Sequence, residues 1–434
     1  MDSKKFLFVS IDALISDIAW QVAKEGHKVK YFISDQDERD IADGFVAKVD
    51  DWKKEVDWAD VIVFDDVLGQ GAKAQKLREQ GKFVVGGTPY TDRLEDDRAF
   101  GQEELKKHGV SILPYKEFTS FDEAIKFVQE NPGKYVIKPS GEAQNIKGLL
   151  FIGEEEDGKD VIQVLGDYKK AWAKKIPVFQ LQKRVTGVEV AVGAFFNGKE
   201  FVYPIFVNFE HKKLFPGDLG PSTGEMGTAA FFSGPNKIFN LTLKKFEETL
   251  AKEGYTGYID INCIVNSQGI YPLEWTSRFG YPTISIQQNG MISPIGELLF
   301  DLAHGNETKL KVQSGFHIGV RVVVPPFPFK DKETFEVKSK DSVVYFKKKP
   351  QEGFPEGVHI EDVKLVNGEW VVTGTSGVVL IVCGTGSTMK QAQNQAYSRI
   401  KNIIIPHMYY RTDIGDRWFE DSDKLHTWGY LREI

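Results

Sequence analysis

The chain has only two cysteines in 434 residues, Cys263 and Cys383, each inside an apolar run (YIDINCIV and GVVLIVCG). So low a thiol content excludes a disulfide-stapled scaffold and a cysteine-rich metal knuckle, and favours a reducing compartment. His211 and His407 have no second histidine or cysteine at ligand spacing, which removes the usual zinc pattern. No apolar stretch reaches the roughly 18 residues of a membrane helix. The opening MDSKKFLFVSID has a short apolar run that turns acidic, unlike a signal peptide. Nor is there an excess of positive charge: the net charge is -7, so nothing offsets a nucleic-acid backbone or an anionic membrane. Repeats and low-complexity segments are missing too. These absences lead us to expect a soluble, cytoplasmic protein, monomer or homodimer, with small-molecule partners and neither nucleic acid nor membrane.

What is present is an ordinary globular composition, 41% apolar and 27% charged, over about two to four domains. Strand-like runs (FLFVSI, Lys28–Ile33, Val61–Phe64, Phe83–Val85) alternate with helical segments (Asp17–Glu25, Ala72–Gln80), predicting a doubly wound parallel sheet over residues 1–92. GGTPYTDRLEDD reads as a turn-rich joint before a helix, Arg98–Lys107. A smaller α+β unit runs from about 113 to 175, and a strand-rich unit from Val178 to about Asn306. Short alternating strands and one helix, Met389–Ile405, predict a third, β-rich domain over 311–419, with an unassigned tail, 420–434.

Three segments carry chemistry. YVIKPSGEAQNIKG ends a strand at Lys138 and places Lys147 in a loop with Gly141 and Gly148; glycines let backbone approach a phosphate, and lysines add charge. YIDINCIVNSQGIYPLEW is a hairpin in which Asp260 and Asn262 share a face and Glu274 ends the second strand, an oxygen-rich set suited to Mg²⁺. FEHKKLFPGDLGPSTGEMGTAAFF reads as a long loop between strands, and such loops are commonly functional.

Together these motifs resemble the ATP-grasp superfamily, and within it the glycinamide ribonucleotide synthetase (phosphoribosylamine–glycine ligase) family. DLGPSTGEMG is similar to that family's G-P-N-T-G-G-M-G, LEWTSRFGYP to its E-x-N-x-R-F-G-D-P, and MYYRTDIG to its closing Y-R-x-D-I-G. The resemblance implies a central ATP-grasp fold of two α+β lobes over 93–310, with ATP and Mg²⁺ (Mn²⁺ as the alternative) as cofactors. It implies that Lys138 and Lys147 hold phosphates, with Arg98 at the first nucleotide-lysine position, Gln182 before the ribose position and Glu189 on the ribose. Glu274 is the implied metal ligand, Thr276 stands where the family has a second, and Asp260 or Asn262 is a further candidate. Arg278 and Lys147 are the implied catalytic residues, and Asp218, Gly220, Pro221, Ser222, Thr223, Gly224 and Gly227 form the implied substrate loop, where Glu225 replaces a glycine. The family's glycine-rich G-x-G-G-R-E-H-A turn, which cradles the phosphate of phosphoribosylamine, is here SIDALISDIAW, glycine-free and acidic.

The expected reaction joins a carboxylate to an amine through an acyl-phosphate, with glycine and phosphoribosylamine as the substrates the resemblance favours. A ligase for a different amine and an inactive nucleotide-binding homologue are the alternatives.

Overall fold

A computed structural model describes residues 2–140, 143, 149–348 and 355–432. The first unit is the predicted parallel sheet, β1 (Lys5–Ser10), β2 (Lys28–Ile33), β3 (Val61–Phe64) and β4 (Val84–Val85), in the order β2-β1-β3-β4. Helices α1 (Ser16–Lys24) and α2 (Gln70–Glu79) cross between its strands. The segment read as a turn-rich joint is instead helix α3 (Pro89–Asp96). Thr88 and Thr91 form a reciprocal capping box and Pro89 stands in the first turn, where its missing N–H costs nothing. Helix α4 (Arg98–Lys107) follows as predicted, capped by Asp97.

The small lobe is a four-stranded sheet of β5 (Tyr115–Phe118), β6 (Tyr135–Pro139), β7 (Phe151–Ile152) and β8 (Phe179–Lys183), ordered β5-β8-β6-β7. It therefore extends past 175, because β8 pairs with both β5 and β6 and completes the sheet. Its core is its own, built on Phe121, Ile137, Val161, Leu165 and Phe179.

The large sheet has eight strands. It contains β9 (Val188–Asn197), β10 (Phe201–Phe215), β11 (Leu219–Ser233), β12 (Thr256–Asn266), β13 (Gly269–Thr276) and β14 (Phe316–Val323). The C-terminal segment contains β15 (Tyr345–Phe346), β16 (Val358–Ile360), β17 (Val363–Val366), β18 (Glu369–Val372), β19 (Val378–Gly386) and β20 (Ile403–Ile404), of which β16 and β19 join the large sheet. The order β13-β12-β9-β10-β11-β14-β19-β16 shows that β14, β19 and β16 of the β-rich C-terminal segment extend the central sheet, while β15 with β20 and β17 with β18 form two separate two-stranded sheets. The predicted helix there stops at Ile400, and the tail holds a helix, Trp418–Thr427, whose Trp418 packs edge-on against Phe209 and Phe231.

The N-terminal unit and the C-terminal segment share a core in which Trp20, Phe45 and Trp370 meet edge to face, with centroids 4.9–5.7 Å apart. Such pairs contribute about 0.5–1.5 kcal/mol each beyond burial. A buried ion pair adds direction: His359 Nδ1 lies 2.7 Å from Asp17 Oδ2 in the first turn of α1, and Ile360 N–H donates to Asp17 Oδ1 at 3.2 Å. Burial alone would raise the Asp17 pKa, but the neighbouring imidazolium holds it below the ordinary value. Burial likewise opposes protonation of His359, and Asp17 reverses this, taking its pKa up to about 10.

Removing the imidazole in His359→Ala leaves a buried carboxylate unpaired, at an expected cost of about 3–5 kcal/mol. The raised histidine pKa makes the stabilisation complete below the ordinary histidine value of about 6.5 and lost as pH climbs through about 10. Urea midpoints of wild type and His359→Ala should converge over that interval; a gap that stays constant would show the pair is not ionic.

Candidate active site

The site is built on one face of the large sheet, beneath the small lobe. Asn208 pairs with Ala191, Ala191 with Asn262, and Asn262 with Glu274, so these four form a row across β10, β9, β12 and β13. Side chains two residues apart on a strand share a face, which brings Glu189, Glu210 and Lys212 onto the same surface. The floor is made of small residues: a Cβ at Gly193 would overlap the Tyr258 hydroxyl and the Asp260 side chain.

Lys212 is the centre of this surface. Its Nζ lies 2.7 Å from Glu274, 2.9 Å from Glu189 and 3.3 Å from Glu210. Burial would lower the Lys212 pKa, but the three carboxylates outweigh it and hold the ammonium charged. In return Lys212 takes Glu274 down to about 2, with Arg98 and Lys138 contributing. Asn262 Nδ2 donates to Glu189 at 2.9 Å and to Glu210 at 3.4 Å.

From the small lobe, Lys138 at the end of β6 is 5% exposed. Burial, then repulsion by Arg98, brings its pKa down to about 7. Beside it on β8, Gln180 is fully buried with neither amide atom partnered among the described residues, and Gln182 is 2% exposed. Arg98 opens α4, its pKa lowered by burial and supported by Glu274. Three acids (Glu189, Glu210, Glu274) thus face three bases (Lys138, Lys212, Arg98). A triphosphate would add negative charge to this set of described residues, which a divalent cation would offset.

The donors present fit a hard divalent ion. Glu274 opens onto the cleft, and Asn262 Oδ1, buried, has no partner among the described residues. Both are oxygen ligands of the kind Mg²⁺ takes. Among the described residues no three acidic or imidazole groups already converge at ligand spacing; the cationic place between the acids is held by Lys212.

The other predicted residues separate. Asp260 and Thr276 are cross-strand partners, one pleat from Asn262 and Glu274. Burial and then Glu210 push the Asp260 carboxyl well up, so it resembles a neutral packing group more than a metal ligand. Arg278 is held by acids: its Nε is 3.2 Å from Asp66 and its Nη2 3.0 Å from Glu95, so it ties the hairpin to the N-terminal unit. Arg98, Gln102, Glu274, Thr276 and Arg278 line a common cavity of about 230 Å³. Lys147, with Gly141 and Gly148, lies outside the described residues.

The expected substrate loop is not a loop. Strands β10 and β11 form a long hairpin with a short turn, Pro216–Asp218, and register shifts at Lys213. Gly217 and Gly220 take positive φ at that tip. Asp218 is held by Arg411 at 2.9 Å and Arg417 at 3.4 Å, while Thr223 Oγ1 donates to Lys212 O at 2.9 Å. Pro221, Ser222 and Gly224 continue β11, and Gly227 passes so close to β14 that a Cβ would lie 2.5 Å from Gly319 O. Glu225 is buried beside Thr228, with Arg321 Nη1 donating to its carbonyl at 2.7 Å. In the acidic turn after β1, Ser10 bonds Asp65, and burial lifts Asp65 to about 7.

Sequence reasoning had singled out neither Lys212 nor Glu210 as a site residue. The available signal was Glu210-His211-Lys212, alternating charge on an otherwise apolar strand, and it was absorbed into the supposed loop.

A buried lysine from the small lobe, Lys138, set over a carboxylate–amide pair of the large sheet is the arrangement of an ATP-grasp ligase. The comparisons agree. Residues 96–284 match the model "Phosphoribosylglycinamide synthetase, ATP-grasp (A) domain", and residues 318–417 match the C domain of the same enzyme. The chain is 27% identical over 365 residues to the phosphoribosylamine–glycine ligase of Streptococcus pneumoniae, covering 81% of this chain and 82% of that one. It is 26% identical over 345 residues to that of Lactococcus lactis, covering 77% and 78%. The solved phosphoribosylamine–glycine ligase of Thermotoga maritima superposes with a TM-score of 0.70 at 21% identity, covering 94% of this chain and all of that one. A biotin carboxylase from Campylobacter jejuni superposes with a TM-score of 0.64 at 13% identity, covering 99% and 97%. The chain belongs to the phosphoribosylglycinamide synthetase family.

Because Lys138 sits near half-ionisation at neutral pH, binding a nucleotide's phosphates above pH 7 should require a proton from solvent. Calorimetry of ADP binding at pH 8 in buffers of different ionisation enthalpy should show proton uptake approaching one, abolished in Lys138→Met. Uptake that is unchanged in the variant would exclude Lys138 as its source.

Proposed function

We propose that the chain joins glycine to phosphoribosylamine at the expense of ATP, forming a C–N bond in purine biosynthesis. The observation that carries this reading is the meeting of Lys138 and Arg98 with Glu274 and Asn262 between two lobes, in a chain matched by both family domains.

Lys138 and Arg98 bind the phosphates, and buried Gln180 supplies an amide for the nucleotide. Glu274 and Asn262 would hold Mg²⁺ or Mn²⁺, which supplies charge neutralisation on the phosphates when bound. Lys212, anchored by Glu189 and Glu210, stabilises negative charge as the γ-phosphoryl moves to the glycine carboxylate. The amine then attacks the acyl-phosphate carbonyl and phosphate leaves. Arg278, fixed by Asp66 and Glu95, positions the end of β13 against the N-terminal unit, where the amine enters. The β10–β11 hairpin is the wall that keeps water from the acyl-phosphate. No helix of the described residues is long and apolar enough to cross a membrane, and we place the reaction in the cytoplasm.

ADP release should require glycine and rise sharply when phosphoribosylamine is generated in place. Glu274→Gln and Lys138→Ala should each lower it at least 100-fold, about 2.7 kcal/mol in barrier, with unchanged thermal melting. Wild-type turnover in both variants would remove the site assignment; ADP release indifferent to phosphoribosylamine would remove the amine.

A further inference from the structure

A second concave site lies in the N-terminal unit, lined by none of the residues assigned to catalysis. It is a cavity of about 520 Å³ between the short helix Trp52–Glu55 and helix α2. Its apolar wall is Trp52, Val56 and Leu77; Trp52 is half-buried and held edge-on against Phe64, with centroids 5.8 Å apart. Its rim is basic. Lys73 and Lys76 lie one helical turn apart on α2, on the same face as Leu77 and Gln80, and Lys53 approaches from the opposite side. None of these three lysines forms an ion pair among the described residues; Lys82, also in the lining, is taken by Asp57 at 2.6 Å.

Asp57 is the one acid in the lining, and its partner is Lys82, so the other three lysines are set apart by the concave, aromatic-walled surface they share. Here three lysines, none ion-paired among the described residues, line one hollow with an aromatic wall, in a chain whose net charge is -7. Like charges gathered this way repel one another, and an anion seated between them relieves the repulsion. The volume suits one small molecule. An indole wall adds a preference for a flat ring, because base–aromatic stacking tolerates any base.

We propose that this cavity is a second, non-catalytic nucleotide site, with the base against Trp52 and the phosphate on Lys73, Lys76 and Lys53. The chemistry it selects is a planar ring carrying a phosphate, so a mononucleotide should bind better than free phosphate.

The test is calorimetric titration of the full chain with AMP while saturating Mg²⁺ and a non-hydrolysable ATP analogue fill the catalytic cleft. One equivalent of AMP should bind, at least tenfold more weakly in Lys73→Glu/Lys76→Glu, and with near wild-type affinity in Lys73→Arg/Lys76→Arg. Inorganic phosphate should bind at least tenfold more weakly than AMP. Both double variants should form ADP at the wild-type rate without added AMP, which separates this site from the ligase reading. The proposal is overturned if AMP does not bind beside the analogue, if charge reversal leaves its affinity unchanged, or if phosphate binds as tightly as AMP.

Discussion

One lysine holds the catalytic surface together. Lys212 stands among Glu189, Glu210 and Glu274, on three different strands of the large sheet, and its charge is what lets three carboxylates share a partly buried face. Without it, each acid would have to be protonated or hydrated, and Glu274 could not stay ionised at a pKa near 2. The cage has a second consequence. Lys212 offsets part of the acids' charge, Lys138 and Arg98 balance the rest from the other side of the cleft, and a divalent ion would offset the charge that phosphates bring.

The sheet carrying the cage is continuous from β13 to β16, so the C-terminal segment is structurally part of the large lobe. That continuity explains how Arg411 and Asp413, near the end of the chain, reach the β10–β11 hairpin: Arg411 is 1% exposed and holds Asp218, while Asp413 accepts the Gly217 N–H at 3.0 Å. The N-terminal unit is tied in by different means, the Asp17–His359 pair and the Trp20–Phe45–Trp370 cluster. In the family the turn after the first strand is a phosphate cradle. Here the carboxylate of Asp17 occupies the first turn of α1 and takes the C-terminal segment as its partner.

Much of the fold was legible because the local rules and the tertiary environment agree. Strands Lys28–Ile33 and Val61–Phe64 and helix Arg98–Lys107 lie where their apolar pattern and caps place them. The misreadings have identifiable causes. Thr88-Pro89 was read as punctuation, yet the same residues start a helix once Thr91 closes the capping box. The glycines of GPSTGEMG suggest a loop, yet the positive φ of Gly220 serves the tip of a paired hairpin and that of Gly227 the close approach of β14. The motif gives Arg278 as a candidate, but not its pairing with Asp66 and Glu95, two acids from distant parts of the chain.

The sequence alone determined the class: strand and helix alternation, the lysine-ended strand, the acidic hairpin and the ordered motifs are local patterns, and local patterns set element type and chemical inventory. Only the tertiary structure decided which charges meet. Glu189, Glu274 and Lys138 come from three strands and Glu210 and Lys212 from a fourth, and the ionisation of Lys212, Glu274 and Lys138 depends on burial and on partners a few ångströms away across strands. Register and lobe packing create those distances, and residue order along the chain does not contain them.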